Sequence, residues 1–160
     1  MLKDVFVLKS KIIDLITMQN KIEMLSLIPL QIHQIVHTKA YTVILFRAKD
    51  FSFPLYIERP IGEILQMYLR GTLSSRPNNC ELISCLIRTF DITIRQIVID
   101  DLSEATYFAK LFFQKIQDEG TRELFVEINA LPTDCIHLAL INNLPLYCTH
   151  EFLNKVCVLS

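Results

Sequence analysis

The chain has 160 residues, of which 51% are hydrophobic and 21% are charged, with a formal net charge of −1 at pH 7. These values exclude a disordered chain and predict a single compact domain with a sizeable core. The near-neutral charge gives no global basic field of the kind that favours nucleic-acid binding. The 5 cysteines contain no CxxC pair. This argues against a disulfide framework or a structural zinc site and predicts free thiols in the cytoplasm.

Residues 1–24 are predicted to form an N-terminal helical extension, separate from a domain over residues 25–157. Apolar residues recur there at helical spacing, namely Val5, Leu8, Ile12, Leu15 and Ile16. The pattern fits either an amphipathic helix that docks on the domain or on a partner, or an added tail before a start at Met24. Charged residues interrupt its apolar runs, which argues against a secretory signal. The chain contains no run of about twenty apolar residues, so no membrane span is expected.

Strands are predicted from residue 25 onward. Leu30, Ile32 and Ile35 lie in the first, Tyr41–Phe46 is the second, and Phe51–Ile57 is the third. Their short connections favour an antiparallel meander.

Two helices are predicted next. The first is entered by Pro60 and ended by Gly71. Its apolar stripe is predicted to consist of Ile61, Ile64, Leu65 and Tyr68. The second begins at Asn78, which together with Glu81 has the spacing of a capping box. The apolar face of this second helix is predicted to consist of Leu82, Ile83, Leu86, Ile87 and Phe90.

The remaining chain returns to strands and adds two helices. Strands are predicted over Ile92–Ile99, Thr106–Gln114, Leu124–Asn129 and Pro145–Cys148, with a turn at residues 118–120. Helices are predicted from Pro132 and after Thr149, the latter as an N-cap. The order of elements predicts the α+β class, with a mixed, largely antiparallel sheet and four helices.

The stretch from residue 126 to residue 140 reads as a strand that runs directly into a helix. Leu124, Val126 and Ile128 alternate with polar positions, which predicts a half-buried strand. Asp134 would lie in the first helical turn, and His137 one turn later on the same face. A base with its orienting carboxylate is one interpretation of this pair. The other is that Asp134 stabilises the helix start and His137 is a partly buried helix residue.

The chain resembles the bifunctional nuclease domain family, whose members are named for cleavage of both DNA and RNA. Four stretches carry the resemblance, in order: Pro54–Ile57, Arg76-Pro77 with Glu81-Leu82, Asp101-Leu102 with Thr106–Ala109, and Val126–Leu140. They are similar to the family patterns Leu-Pro-Ile-Trp-Ile, Arg-Pro-Leu-Thr-His-Asp-Leu, Leu-x-x-x-Thr-Phe-Tyr-Ala and Ile-Asp-x-Arg-Pro-Ser-Asp-Ala-Ile-x-Leu-Ala. The match covers about Leu25 to Val156.

The resemblance also shows departures. Ile61 stands where the family usually has Glu, Cys80 where it has His, and Leu131 where it has Arg. Four polar positions remain: Arg76, Glu81, Glu127 (for an Asp) and Asp134. These losses bear on catalysis more than on the fold, because a fold tolerates such changes and a site does not.

The resemblance implies a nuclease that acts on single-stranded or flexible nucleic acid. Arg76 would bind phosphate, and Glu81, Glu127 and Asp134 would be catalytic residues. His137 joins them as a candidate catalytic base because it shares a helix face with Asp134, and not through the resemblance. Asp134 and Glu127 would be ligands of Mg²⁺ or Mn²⁺, since hard cations take carboxylate oxygens. The alternative is a catalytically inactive interaction module that keeps the fold. In either case a homodimer or higher homo-oligomer is expected, without membrane association.

Overall fold

The computed structural model describes residues 26–72, 76–117 and 122–158. The extension predicted over residues 1–24 and the turn predicted at residues 118–120 lie outside the described residues. The strands are β1 (Ile28–His37), β2 (Tyr41–Ala48), β3 (Phe51–Glu58), β4 (Ile92–Ser103), β5 (Thr106–Gln117), β6 (Arg122–Ala130) and β7 (Leu146–Cys148). The helices are α1 (Arg59–Leu69), α2 (Asn79–Thr89), α3 (Pro132–Asn142) and α4 (His150–Val158).

The strands form one seven-stranded sheet in the order β3-β2-β1-β7-β4-β5-β6. All neighbouring strands are antiparallel except β4 and β7, which are parallel. The first three strands form the predicted meander. With four helices in the described part of the chain, the domain is α+β with a mixed, largely antiparallel sheet, as the sequence predicted.

The core lies between the helices and one face of the sheet. Strand residues on this face alternate as β pleating requires: Ile44 and Phe46 of β2 and Leu111 of β5 are buried there. Phe152 of α4 packs against Phe53, with the ring centroids 5.3 Å apart. α4 begins where the sequence predicted, because the hydroxyl of Thr149 accepts a hydrogen bond from the Phe152 amide at 3.1 Å.

Helix α1 lies directly against the meander. Gly62 faces Thr42 of β2, and a Cβ at Gly62 would meet the Thr42 side chain at less than 3.0 Å. One turn later, Gln66 Oε1 lies 2.7 Å from His37 Nε2. His37 Nδ1 lies 2.8 Å from Thr42 Oγ1, so one polar chain ties α1 to β1 and β2.

The prediction of a half-buried strand at residues 124–129 was wrong in its burial. The strand forms, but β6 is the last strand of the sheet, and Leu124, Val126 and Ile128 are exposed. They continue the core face of β5, since Ile128 pairs with Leu111 and Val126 with Phe113. The helices cover β4 and β5 but do not extend over these three residues of β6.

The apolar face predicted for α2 was wrong at four of its five residues, and only Ile87 packs against the core. The helix turns Cys80 and Ser84 inward, whereas its larger apolar residues Leu82, Ile83, Leu86 and Phe90 are exposed. The Ser84 hydroxyl donates to Asn142 Oδ1 of α3 at 2.7 Å, which explains how a small polar residue occupies the buried side. Among the described residues, every helix is too short or too polar to cross a lipid bilayer.

Candidate functional site

Polar side chains from three helices meet where α1 ends and where α2 and α3 begin. We call this set the helix-junction site: Tyr68, Asn78, Glu81, Asp134 and His137. Asn78 contacts three of the other members, namely Tyr68, Glu81 and His137. Its amide Nδ2 donates to the Tyr68 hydroxyl at 3.1 Å and lies 3.5 Å from His137 Nε2. The site is therefore assembled by helix packing and not by any one segment of sequence.

Asn78 and Glu81 form the capping box that the sequence predicted. The Glu81 amide donates to Asn78 Oδ1 at 3.0 Å, and the Asn78 amide donates to Glu81 Oε2 at 2.6 Å. The pKa of Glu81 is lowered by a hydrogen bond from the Tyr68 hydroxyl and then by the Asn78 amide. Glu81 is thus ionised at neutral pH and places a fixed negative charge at the helix junction.

Replacing Asn78 tests the capping box directly. Asn78→Ala is expected to lower the free energy of unfolding by about 1 kcal/mol, because an N-cap side chain satisfies an amide at the helix start. The measurement is the urea midpoint followed by circular dichroism. Asn78→Ser, which keeps a capping oxygen, should recover most of the loss. Equal losses in both variants would contradict a capping role.

His137 is nearly enclosed, with 7% of its surface exposed. The Tyr68 ring packs edge-on against the imidazole, with centroids 4.9 Å apart. Burial lowers the pKa of His137, and the charges of Glu81 and Asp134 oppose this shift. The imidazole is therefore neutral at pH 7. Its enclosure fits a residue that positions its neighbours better than one that meets substrate.

The buried imidazole predicts a pH dependence of stability. Below the ordinary pKa of 6.5, the unfolded chain binds a proton at His137 more readily than the folded protein does. The free energy of unfolding should therefore fall as pH falls through 6.5 towards the folded-state pKa. Urea unfolding at a series of pH values from neutral to mildly acidic measures this slope. His137→Gln should flatten it, and an unchanged slope in that variant would contradict a buried neutral imidazole.

Cys80 stands beside the junction at the position where the family pattern has His. Its thiol is buried, and burial, followed by the negative charges of Asp134 and Glu81, raises its pKa to about 11. A thiol that stays protonated at neutral pH is neither a nucleophile nor a base. Cys80 therefore supplies no chemistry in place of the histidine. All five cysteines are free, as predicted.

Asp134 is the exposed acid of the junction. It lies in the first turn of α3, which begins at Pro132 as predicted. Its charge acts on both His137 and Cys80, so the exposed carboxylate lies near these two buried side chains. An exposed carboxylate can accept a proton from water.

Glu127 has different neighbours from the other predicted site residues. Its Oε1 lies 2.8 Å from Lys110 Nζ, which also contacts Asp100 Oδ2 at 3.3 Å. The pair projects from the sheet face opposite the helices, because Lys110 alternates with the buried Ala109 and Leu111. Glu127, followed by Asp100, raises the pKa of Lys110.

Arg76 is exposed in the segment that leads into α2, two residues before Asn78. The sequence treated Tyr68 as part of an apolar stripe and Asn78 as a cap alone. Neither was identified as a site residue. Their polar groups could have indicated a role in the site. The Tyr68 hydroxyl and the Asn78 amide each need a hydrogen-bond partner when their helices pack against the rest of the domain.

In residues 26–72, 76–117 and 122–158, no group of three or more His, Cys, Asp and Glu side chains is arranged to hold a metal ion. A Mg²⁺ or Mn²⁺ site at Asp134 and Glu127 stays a prediction.

The fold and the junction define an α+β domain whose polar residues converge at three helix ends beside a mixed, largely antiparallel sheet. The model of the bifunctional nuclease domain matches residues 43–159. The chain belongs to the bifunctional nuclease domain family, which confirms the resemblance drawn from its motifs. Similar curated proteins are uncharacterized protein MT1877 of Mycobacterium tuberculosis strain CDC 1551 and uncharacterized protein Rv1829 of strain H37Rv. Each is 26% identical over 98 residues, which is 61% of this chain and 54% of the relative. The chain thus spans about half the length of these relatives.

Proposed function

We propose that this protein is a nuclease that hydrolyses phosphodiester bonds in single-stranded or flexible RNA and DNA at the helix-junction site. Membership of the bifunctional nuclease domain family supports a nucleic-acid substrate. The observation that carries the assignment to this site is the exposed Asp134 carboxylate beside a buried, neutral His137. The combination offers a proton acceptor at the surface and a fixed polar frame beneath it.

Each residue has a distinct part in the proposed hydrolysis. Arg76 binds the phosphate, and Asp134 accepts a proton from the water that attacks phosphorus. The bond from phosphorus to the leaving oxygen breaks, and solvent water returns a proton to that oxygen. His137, Asn78 and Tyr68 are positioning residues, since their polar atoms are engaged with one another. Glu81 keeps the Tyr68 hydroxyl oriented through its ionised carboxylate.

The test is cleavage of fluorescent single-stranded RNA and DNA by the purified chain, with EDTA, Mg²⁺ or Mn²⁺. Cleavage in at least one condition, lost on Asp134 substitution, supports the proposal. Cleavage restored only by a metal would support the predicted Mg²⁺ or Mn²⁺ dependence. No cleavage of either substrate in any condition would overturn the proposed activity.

The second candidate function is a catalytically inactive interaction module that self-associates. Two observations favour it: the exposed apolar residues of β6 and α2, and a Cys80 thiol that stays protonated where the family has His. Exposed apolar surface of this kind marks interaction sites. A nuclease, or an inactive protein that still binds nucleic acid, should lose oligonucleotide affinity steeply with salt. A pure assembly module should not bind the oligonucleotide at any salt concentration.

A further inference from the structure

The two ends of the sheet differ in how their open edges are protected. β3 ends one side and carries Pro54 in mid-strand, which removes a backbone donor from that strand. The Tyr107 hydroxyl donates to the Pro54 carbonyl at 2.8 Å, so β5 covers part of the same strand. Both devices discourage a further strand from adding there.

β6 ends the other side without a proline over its nine residues. Its exposed apolar residues lie on both faces, with Leu124, Val126 and Ile128 on the core side and Phe125 on the other. A long apolar edge strand is a template for pairing with another strand, and natural proteins blunt such edges when they are to stay unpaired. The exposed edge therefore points to a strand-adding partner.

We propose that β6 pairs antiparallel with β6 of a second copy of this chain, about a two-fold axis at Val126. In this register Val126 lies opposite its own copy and Leu124 lies opposite Ile128. All three apolar residues of the core side then face apolar partners, and Phe125 lies opposite Glu127. A two-fold axis at Glu127 would instead set two carboxylates against each other, which is unfavourable.

The proposed pair joins two seven-stranded sheets into one and extends the apolar layer of β5 across the axis. Leu111 and Phe113 of each copy would continue through Ile128 and Val126 into the partner. Such an interface is isologous and closes as a dimer, because each copy uses the same proline-free edge strand, β6. This inference deepens the self-association of the second candidate function and does not depend on cleavage.

The first experiment measures the mass of the full chain by light scattering at micromolar concentration. We expect about twice the chain mass of 18.6 kDa. Val126→Lys should raise the dimer dissociation constant about 100-fold or more, because two like charges would face each other across the axis. The matched control is Tyr56→Lys on the protected edge strand β3, at a residue that is 62% exposed. The control should leave the mass unchanged.

Cross-linking tests the register in the same protein. Cys85→Ser and Cys157→Ser first remove the two exposed thiols. Val126→Cys should then form an intermolecular disulfide under mild oxidation, because its two Cα atoms would be directly opposed on one face, within the roughly 7 Å that a disulfide spans. Leu124→Cys and Ile128→Cys should cross-link when mixed, and not when either is oxidised alone.

The outcomes separate this inference from the proposed nuclease. A monomeric wild-type mass would overturn the β6 pairing and leave the cleavage assay unaffected. A dimer that Val126→Lys leaves intact, or that Val126→Cys fails to cross-link, would overturn this interface while self-association stood.

Discussion

Asp134→Asn is expected to lower the rate of single-stranded RNA and DNA cleavage by about 10²- to 10⁴-fold, the usual effect of removing a positioned general base. Asparagine keeps the shape of the side chain and removes the carboxylate that would accept the proton. Because Asp134 is exposed on the first turn of α3, the substitution leaves the core untouched. The measurement is the single-turnover rate with saturating enzyme, so that binding and the chemical step are separated.

A matched control exists in the same domain. Glu151 is the first-turn acid of α4 and lies 3.0 Å from Lys155, away from the helix junction. Glu151→Gln carries the same helix-start cost of about 0.3 to 1 kcal/mol and should leave the cleavage rate unchanged. Equal losses in both variants would show that the effect comes from helix stability.

Glu127→Gln discriminates between the two acidic places that the sequence nominated. If the reaction takes place at the helix-junction site, we expect Glu127→Gln to change the cleavage rate only slightly. Glu127 pairs with Lys110 on the opposite face of the sheet. If Glu127→Gln abolished cleavage while Asp134→Asn did not, the site would lie at the Lys110 cluster. The residue assignment would then be wrong even though the activity was right.

Local features of this fold were predictable because their hydrogen bonds span only a few residues. The capping box at Asn78, the helix start at Pro132 and the cap at Thr149 all form within one turn of chain. The antiparallel pairing of the first three strands was also predictable, because short connections can join antiparallel strands but not parallel ones. These features need no knowledge of distant segments.

Burial of β6 and α2 depended on information that no local pattern contains. Alternation identifies a strand, but whether its apolar face is covered depends on which strand ends the sheet and how far the helices reach. The prediction of the apolar face of α2 was wrong at four residues for the same reason. Ser84 could take the buried side because α3 offers Asn142 as a partner, and that partner is 58 residues away along the chain.

In the candidate site too, local sequence predicted some residues, whereas others come together only through helix packing. Asp134 and His137 were identified together because one helix turn separates them, and both belong to the junction. Tyr68 and Asn78 were missed because their meeting with His137 depends on the packing of α1 and α2 on α3. Glu127 was grouped with Asp134 because the family resemblance includes both positions. The ion pair with Lys110 shows that neighbouring residues at a strand-to-helix corner can face different sides of a sheet.

Gly62→Ala is expected to lower the free energy of unfolding by about 3 kcal/mol, at the upper end of the usual cost of overpacking. The new methyl would collide with the fully buried Thr42 side chain, which cannot move into solvent. Relief requires α1 to lift from β2, and this would pull Gln66 away from His37. Urea unfolding followed by circular dichroism measures the loss, and Glu63→Ala on the exposed side of the same helix should change stability by less than about 0.5 kcal/mol.

The same lift should reach the helix junction, because Tyr68 lies on α1 six residues after Gly62. We therefore expect Gly62→Ala to weaken the packing of Tyr68 on His137 and to lower cleavage under conditions where the protein is still folded. Thr42→Gly opens the space that the methyl needs, so the double variant should lose less stability than the two single losses together. Simple additivity would show that the collision with Thr42 is not the cause, and an unchanged stability in Gly62→Ala would refute the close approach of α1 to β2.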